Sequence, residues 1–143
     1  MNKIIAFDLG SKSLGIAISD ALGIAAHGLE NFRFNENGYQ SALRHALEVI
    51  KNNNVNEVVV GLALNMDGSM SKSAEISTKF KEELLKAMPN LKVAMIDERL
   101  TTMQANRILL EADISRKKRK QVIDMQSAVM ILETYMGRKK NER

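Results

Sequence analysis

Hydrophobic and polar positions in the first quarter of the chain fall into short runs of β type. Residues 3–9 are apolar almost throughout, residues 14–20 form a second β-rich run, and a third covers about 25–34. A Gly/Ser turn separates the first two runs, so the pattern predicts three strands in an antiparallel meander. The period then lengthens. Residues 37–52 place Leu43, Leu47 and Ile50 on one face, which predicts a helix stopped by the asparagines at 52–54. Residues 58–60 are all valine and end at Gly61, a pattern suited to the buried middle of a parallel sheet. A second helix is predicted over 71–88, with Ile76, Phe80 and Leu84 as its stripe and Pro89 beyond its end. A fifth strand over 93–96 stops at Asp97-Glu98-Arg99. Residues 102–112 and roughly 122–136 read as helices separated by the basic run at 116–120.

This order predicts an α/β fold with a five-stranded mixed sheet, three strands antiparallel and two parallel, flanked by helices. The first strand is expected centrally, beside the fourth, and the links to strands four and five are expected to be right-handed crossovers. Ligands of such sheets gather at the carboxyl ends of the strands. Asp8, Gly61 and the segment after strand five should meet there.

At 143 residues the chain is expected to be one domain, with 138–143 a basic, flexible tail. No apolar stretch approaches the ~20 residues of a membrane span, and no cleavable signal is recognisable, so a cytoplasmic location is expected. Zero cysteines exclude disulfides, thiolate metal sites and a cysteine nucleophile, and two histidines disfavour a His-rich centre. Any metal would therefore be a hard cation on oxygen ligands. The net charge of +4 is unevenly spread. Residues 116–143 hold nine basic against three acidic residues, whereas the preceding part carries 12 against 14. That footprint suits a polyanion.

Asp8 is the first candidate for chemistry, because a carboxylate in a strand this apolar is costly unless paired or bound to a metal. Asp97 and Glu98 end strand five, and Asp124 falls in the first turn of the last predicted helix. Singly, such acids are as well explained as turn formers or partners of the helix dipole. Jointly, on one rim and without histidine or cysteine, they match what two Mg²⁺ or Mn²⁺ ions need for phosphodiester hydrolysis. Arg116, Lys117, Lys118, Arg119 and Lys120 would hold the polyanion against that rim.

Four separated segments carry a family resemblance. They are Asp8-x-Gly10-x-Lys12-x-x-Gly15-x-Ala17-x-Ser19-Asp20, the stretch Val60-Gly61-Leu62-x-Leu64-Asn65-Met66-Asp67-Gly68-Ser69, Asp97-Glu98-Arg99-Leu100-Thr101-Thr102-x-x-Ala105, and Asp124-x-x-Ser127-Ala128-x-x-Ile131-Leu132. Together they resemble the YqgF family, related to Holliday-junction resolvases within the RNase H-like superfamily and linked to maturation of the 5′ end of pre-16S rRNA. The resemblance implies an RNase H-like fold, a divalent-metal-dependent nuclease, and catalytic, metal-binding carboxylates matching Asp8, Glu98 and Asp124. Ala63, Ser13 and Ser127 depart from residues usual in that family, and none of these departures removes a metal-binding carboxylate.

Neighbours in a strand face opposite ways, so one of Asp97 and Glu98 is expected to face the site. Strand five lies two strands (~10 Å) from strand one. The longer Glu98 side chain on a returning loop is therefore the expected ligand, with Asp97 capping the turn. Lys12, Arg99, Asn65, Ser69 and the basic run are the expected nucleic-acid contacts, although Asn65–Ser69 is also a plain turn-forming string. Pre-rRNA is the expected substrate and the small ribosomal subunit an expected partner. The alternatives are a resolvase cutting branched DNA, which would favour a dimer over a monomer, and a non-catalytic RNA-binding assembly factor. The first motif also resembles the phosphate hairpin of the actin and sugar-kinase group, whose cleft needs two such domains.

Overall fold

The structure, a computed structural model, describes residues 3–100 and 116–141, with the side chains of 100, 116–124 and 140–141 left out of the description. Five strands, β1 (Ile4–Leu9), β2 (Ser13–Ser19), β3 (Ala26–Arg33), β4 (Glu57–Leu62) and β5 (Lys92–Asp97), form one sheet in the order β3-β2-β1-β4-β5. β1, β2 and β3 pair antiparallel, while β4 and β5 join parallel, so β1 is central beside β4 as expected. Helices α1 (Tyr39–Asn52) and α2 (Lys72–Ala87) are the crossovers, and α3 (Arg116–Asn141) follows β5. The predicted helix at 102–112 lies outside the described residues.

Local chemistry sets the helix ends. The Ser71 hydroxyl caps α2 by accepting from the Ala74 N–H at 2.9 Å. After α1, Asn54 takes the left-handed conformation (φ 53°), the stop foreshadowed by the asparagine cluster.

Strict alternation along β1 and β4 divides the core in two. Ile5, Phe7, Leu9, Val58 and Val60 pack toward α1 and α2. Ile4, Ala6 and Val59 pack toward α3, against Ala128, Ile131, Leu132 and Tyr135. Nearly all of these are fully buried, which at ~25 cal/mol per Å² makes them the main source of stability. A register shift between Ile16 and Ala17 inserts Leu29 as a bulge in β3.

Two boundaries differ from expectation. The last helix already includes Arg116, well before 122, so the basic run lies within it and is not a separator. At the other end, positions 138–141 are helical where a flexible tail was expected. There Lys139 Nζ donates to Glu57 Oε2 at 2.6 Å and Oε1 at 2.8 Å. The Tyr135 hydroxyl donates to the same carboxylate, which fastens this end of α3 to the start of β4.

Candidate active site

Asp8 is the last α3-facing residue of β1. Its strand neighbours Phe7 and Leu9 enter the α1/α2 core, so alternation turns Asp8 to the other face, half-buried. Phe7 pairs with Val60, so Gly61 continues the parallel register at the level of Asp8.

Glu98 arrives at this place from β5. Ile96 faces α3, so Asp97 faces away, and the 3₁₀ turn Glu98–Leu100 brings the next side chain back to the α3 side. A β-carbon placed on Gly61 would stand 2.8 Å from Glu98 Cδ, 3.0 Å from its Cγ and 2.6 Å from Ile131 Cδ1. Only glycine leaves this space, and the Glu98 side chain fills it. The carboxylates of Asp8 and Glu98 therefore share the α3 face at the carboxyl ends of β1 and β5, with β4 between them and no β4 side chain intervening.

Asp97 is engaged elsewhere. Its Oδ1 accepts from the Arg99 backbone N–H at 3.0 Å, and its Oδ2 accepts from Arg99 Nη2 at 2.6 Å and Nε at 2.9 Å. The Arg99 hydrogen bonds hold the Asp97 carboxyl below its ordinary value. Arg99 thus pairs with a carboxylate, and its Nη1 also donates to Met66 O at 3.1 Å, tying loop 65–69 to the end of β5.

That loop is bonded to itself. Asn65 Nδ2 donates to Ser69 Oγ at 3.0 Å, the Ser69 hydroxyl donates to Asp67 Oδ1 at 2.6 Å, and Gly68 turns the chain at φ 88°. The Ser69 bonds hold the Asp67 carboxyl below its ordinary value. Asn65 and Ser69 are thus brought to the rim, with these side-chain donors spent on the turn. Lys12, exposed in the β1–β2 turn, lies on the same rim.

Asp124 and the basic positions 116–120 are in the backbone of α3, and their side chains lie outside the described residues. Asp124 is seven residues before Ile131, the residue that meets Gly61, and so on the same stripe of the helix. Among the described residues no group of three or more His, Cys, Asp and Glu is placed to hold a metal ion. Two carboxylates and a glycine-made cradle suit a hard cation, because oxygen is the only donor they offer. The histidines stand apart from them: His45, on α1, meets Glu30 at 2.6 Å and stacks on Phe32.

A family model described as "RuvX: Holliday junction resolvase" matches residues 2–138. A curated protein of Staphylococcus aureus (strain JH9), named "Putative pre-16S rRNA nuclease", is 48% identical over 135 residues, 94% of this chain and 95% of its own. A protein of the same name from Staphylococcus carnosus (strain TM300) is 49% identical with the same coverage. Among solved structures, Thermus thermophilus RuvC in complex with a Holliday junction superposes with a TM-score of 0.63 at 13% identity, covering 98% of this chain and 97% of that one. The fowlpox virus resolvase bound to junction DNA gives 0.59 at 14%, covering 96% and 98%. At these identities the two structures speak for the fold, which is that of the RuvC-like, RNase H-like group.

Proposed function

The chain belongs to the RuvX (YqgF) family, and from that premise we propose that it is a divalent-metal-dependent endonuclease acting in maturation of the 5′ end of pre-16S rRNA. The observation that supports the reading is that Glu98 fills the space over Gly61 while Asp8 shares its face at the end of the neighbouring strand, on the rim where such sheets bind ligands. The names of the half-identical relatives supply the substrate class.

In this reading Asp8, Glu98 and Asp124 hold Mg²⁺ or Mn²⁺, two ions in all. When bound, the ions supply Lewis acidity for water attack and for the leaving oxygen. The protein's part is positional. Asp8 is fixed by the central strand, and Glu98 is fixed by the turn that Asp97 and Arg99 lock. Arg116, Lys117, Lys118, Arg119 and Lys120, with Lys12, supply the charge that holds a phosphate backbone near the carboxylates. Arg99, Asn65 and Ser69 shape the loop that borders the substrate path. The fold has no long apolar helix among its described residues, and the small ribosomal subunit is the partner this substrate implies.

The test is cleavage by wild type and Asp8→Asn of a pre-16S 5′-leader RNA and a four-way DNA junction, with Mn²⁺, Mg²⁺ or EDTA. Metal-dependent cutting of the RNA, lost in the variant, is expected. The family description favours one second reading, a junction resolvase. Cutting of the junction alone, by a dimer, would establish it. RNA binding without cutting of either substrate would instead indicate an assembly factor.

A further inference from the structure

On β3, Glu30 and Phe32 face α1, where both meet the His45 ring. Asn31, between them, is therefore turned to the α3 face. Its Oδ1 and Nδ2 are both buried, and neither has a hydrogen-bond partner among the described residues. Buried amides are almost always paired, so an orphan of this kind calls for an explanation.

The register points to where that ligand sits. Asn31 pairs with Gly15, and Gly15 pairs on its other side with Asp8. Directly opposed residues share a face, so Asn31 and Asp8 stand in one row, with only a glycine between them. The bulge begins beyond Ile16 and leaves this row intact. Two strand spacings put the α-carbons ~9.6 Å apart, and side chains stand roughly perpendicular to the sheet. That gap far exceeds one hydrogen bond of ~2.9 Å. A cation with its hydration shell would span it, because a ~2.1 Å contact at the carboxylate, a coordinated water and a further hydrogen bond add together.

We infer that Asn31 is a positioning residue of the metal site: its amide is the outer hydrogen-bonding partner of the hydrated divalent cation that Asp8 binds, on the side away from Glu98. The row Asn31–Gly15–Asp8–Gly61 then has a glycine on each side of Asp8, with Glu98 filling the space over Gly61. A neutral amide suits the outer place, since it orients the shell without adding charge to a site already rich in carboxylate. The inference rests on the metal-dependent reading above.

The experiment is Mn²⁺ titration of the full chain as wild type, Asn31→Leu and Asn31→Ala, followed by calorimetry, with thermal unfolding of each in EDTA. Both variants are expected to bind Mn²⁺ at least ~10-fold more weakly. Asn31→Leu, of similar volume and without the unpaired amide, is expected to raise Tm in EDTA by about 2–6 °C. Mn²⁺ affinity unchanged in both variants overturns the inference. A lower Tm in both variants in EDTA would also overturn it, because the amide would then serve the fold itself. Wild-type cleavage is measured in parallel. Unchanged affinity in the variants with active wild type removes this inference alone. Weakened affinity with inactive wild type removes the nuclease reading and leaves the inference standing.

Discussion

Glu98 occupies the space that a side chain on Gly61 would need. The absence of a β-carbon on one strand thus creates the seat for a carboxylate delivered by the next. Gly61→Ala should lower stability by about 1–3 kcal/mol through overpacking against Glu98 and Ile131, and should reduce cleavage more than the stability loss accounts for. Thermal unfolding and single-turnover cleavage on the same preparation check both parts.

Asp8→Asn and Glu98→Gln should each reduce cleavage by ~10³-fold, corresponding to several kcal/mol of lost charge stabilisation, while leaving Tm near wild type. Asp97→Asn should cost less than Glu98→Gln, because Asp97 holds the turn through Arg99. The reverse order would reassign the two neighbours.

Arg99→Ala removes the tie between loop 65–69 and β5. Its pair with Asp97 is largely at the surface, so global stability should change little. Limited proteolysis at 65–70 should nevertheless become several-fold faster. An unchanged rate would mean that the turn's own Asn65, Asp67 and Ser69 bonds are sufficient.

Neutralising Lys117, Lys118 and Lys120 should weaken RNA binding regardless of sequence and flatten the slope of log affinity against log salt by about 2–3 units. Binding isotherms at several salt concentrations test this, and an unchanged slope would remove the run from the phosphate path.

Glu57 offers a test by pH. Burial pushes its carboxyl up, but the Lys139 and Tyr135 hydrogen bonds outweigh that and leave it below its ordinary value of 4.5. A depressed carboxyl stabilises the fold fully above the unfolded value and loses that contribution as pH falls through the folded one. Glu57→Gln should therefore cost about 1–3 kcal/mol at pH 7, and the gap from wild type should close on acidification below about 4.5. Chemical unfolding of both proteins from pH 3 to 7 would show it.

The sheet was legible because its strands are punctuated by glycine, serine and asparagine and its helices carry stripes of period 3.6. Asp8 stood out because it interrupts the most apolar strand. That α3 takes in the basic run was not legible, since a cluster of like positive charges has no apolar period. Asn31 gave no signal either. A lone polar residue between Glu30 and Phe32 reads as an ordinary solvent-facing position until the register sets it beside Gly15 and Asp8. Glu57 gave no signal, because its partners arrive from residues 78 and 82 positions later.

The fastening at Glu57 makes α3 a lever with its pivot on the far side of the molecule from the carboxylates. Fifteen residues separate Lys139 from Asp124, ~22 Å of helix, so a tilt of only about 2–3° at the pivot would carry the Asp124 backbone ~1 Å, a misplacement of the order that costs ~10²-fold in rate. In the proposed site, the placement of the rim is then set partly by an ion pair at the opposite end of α3.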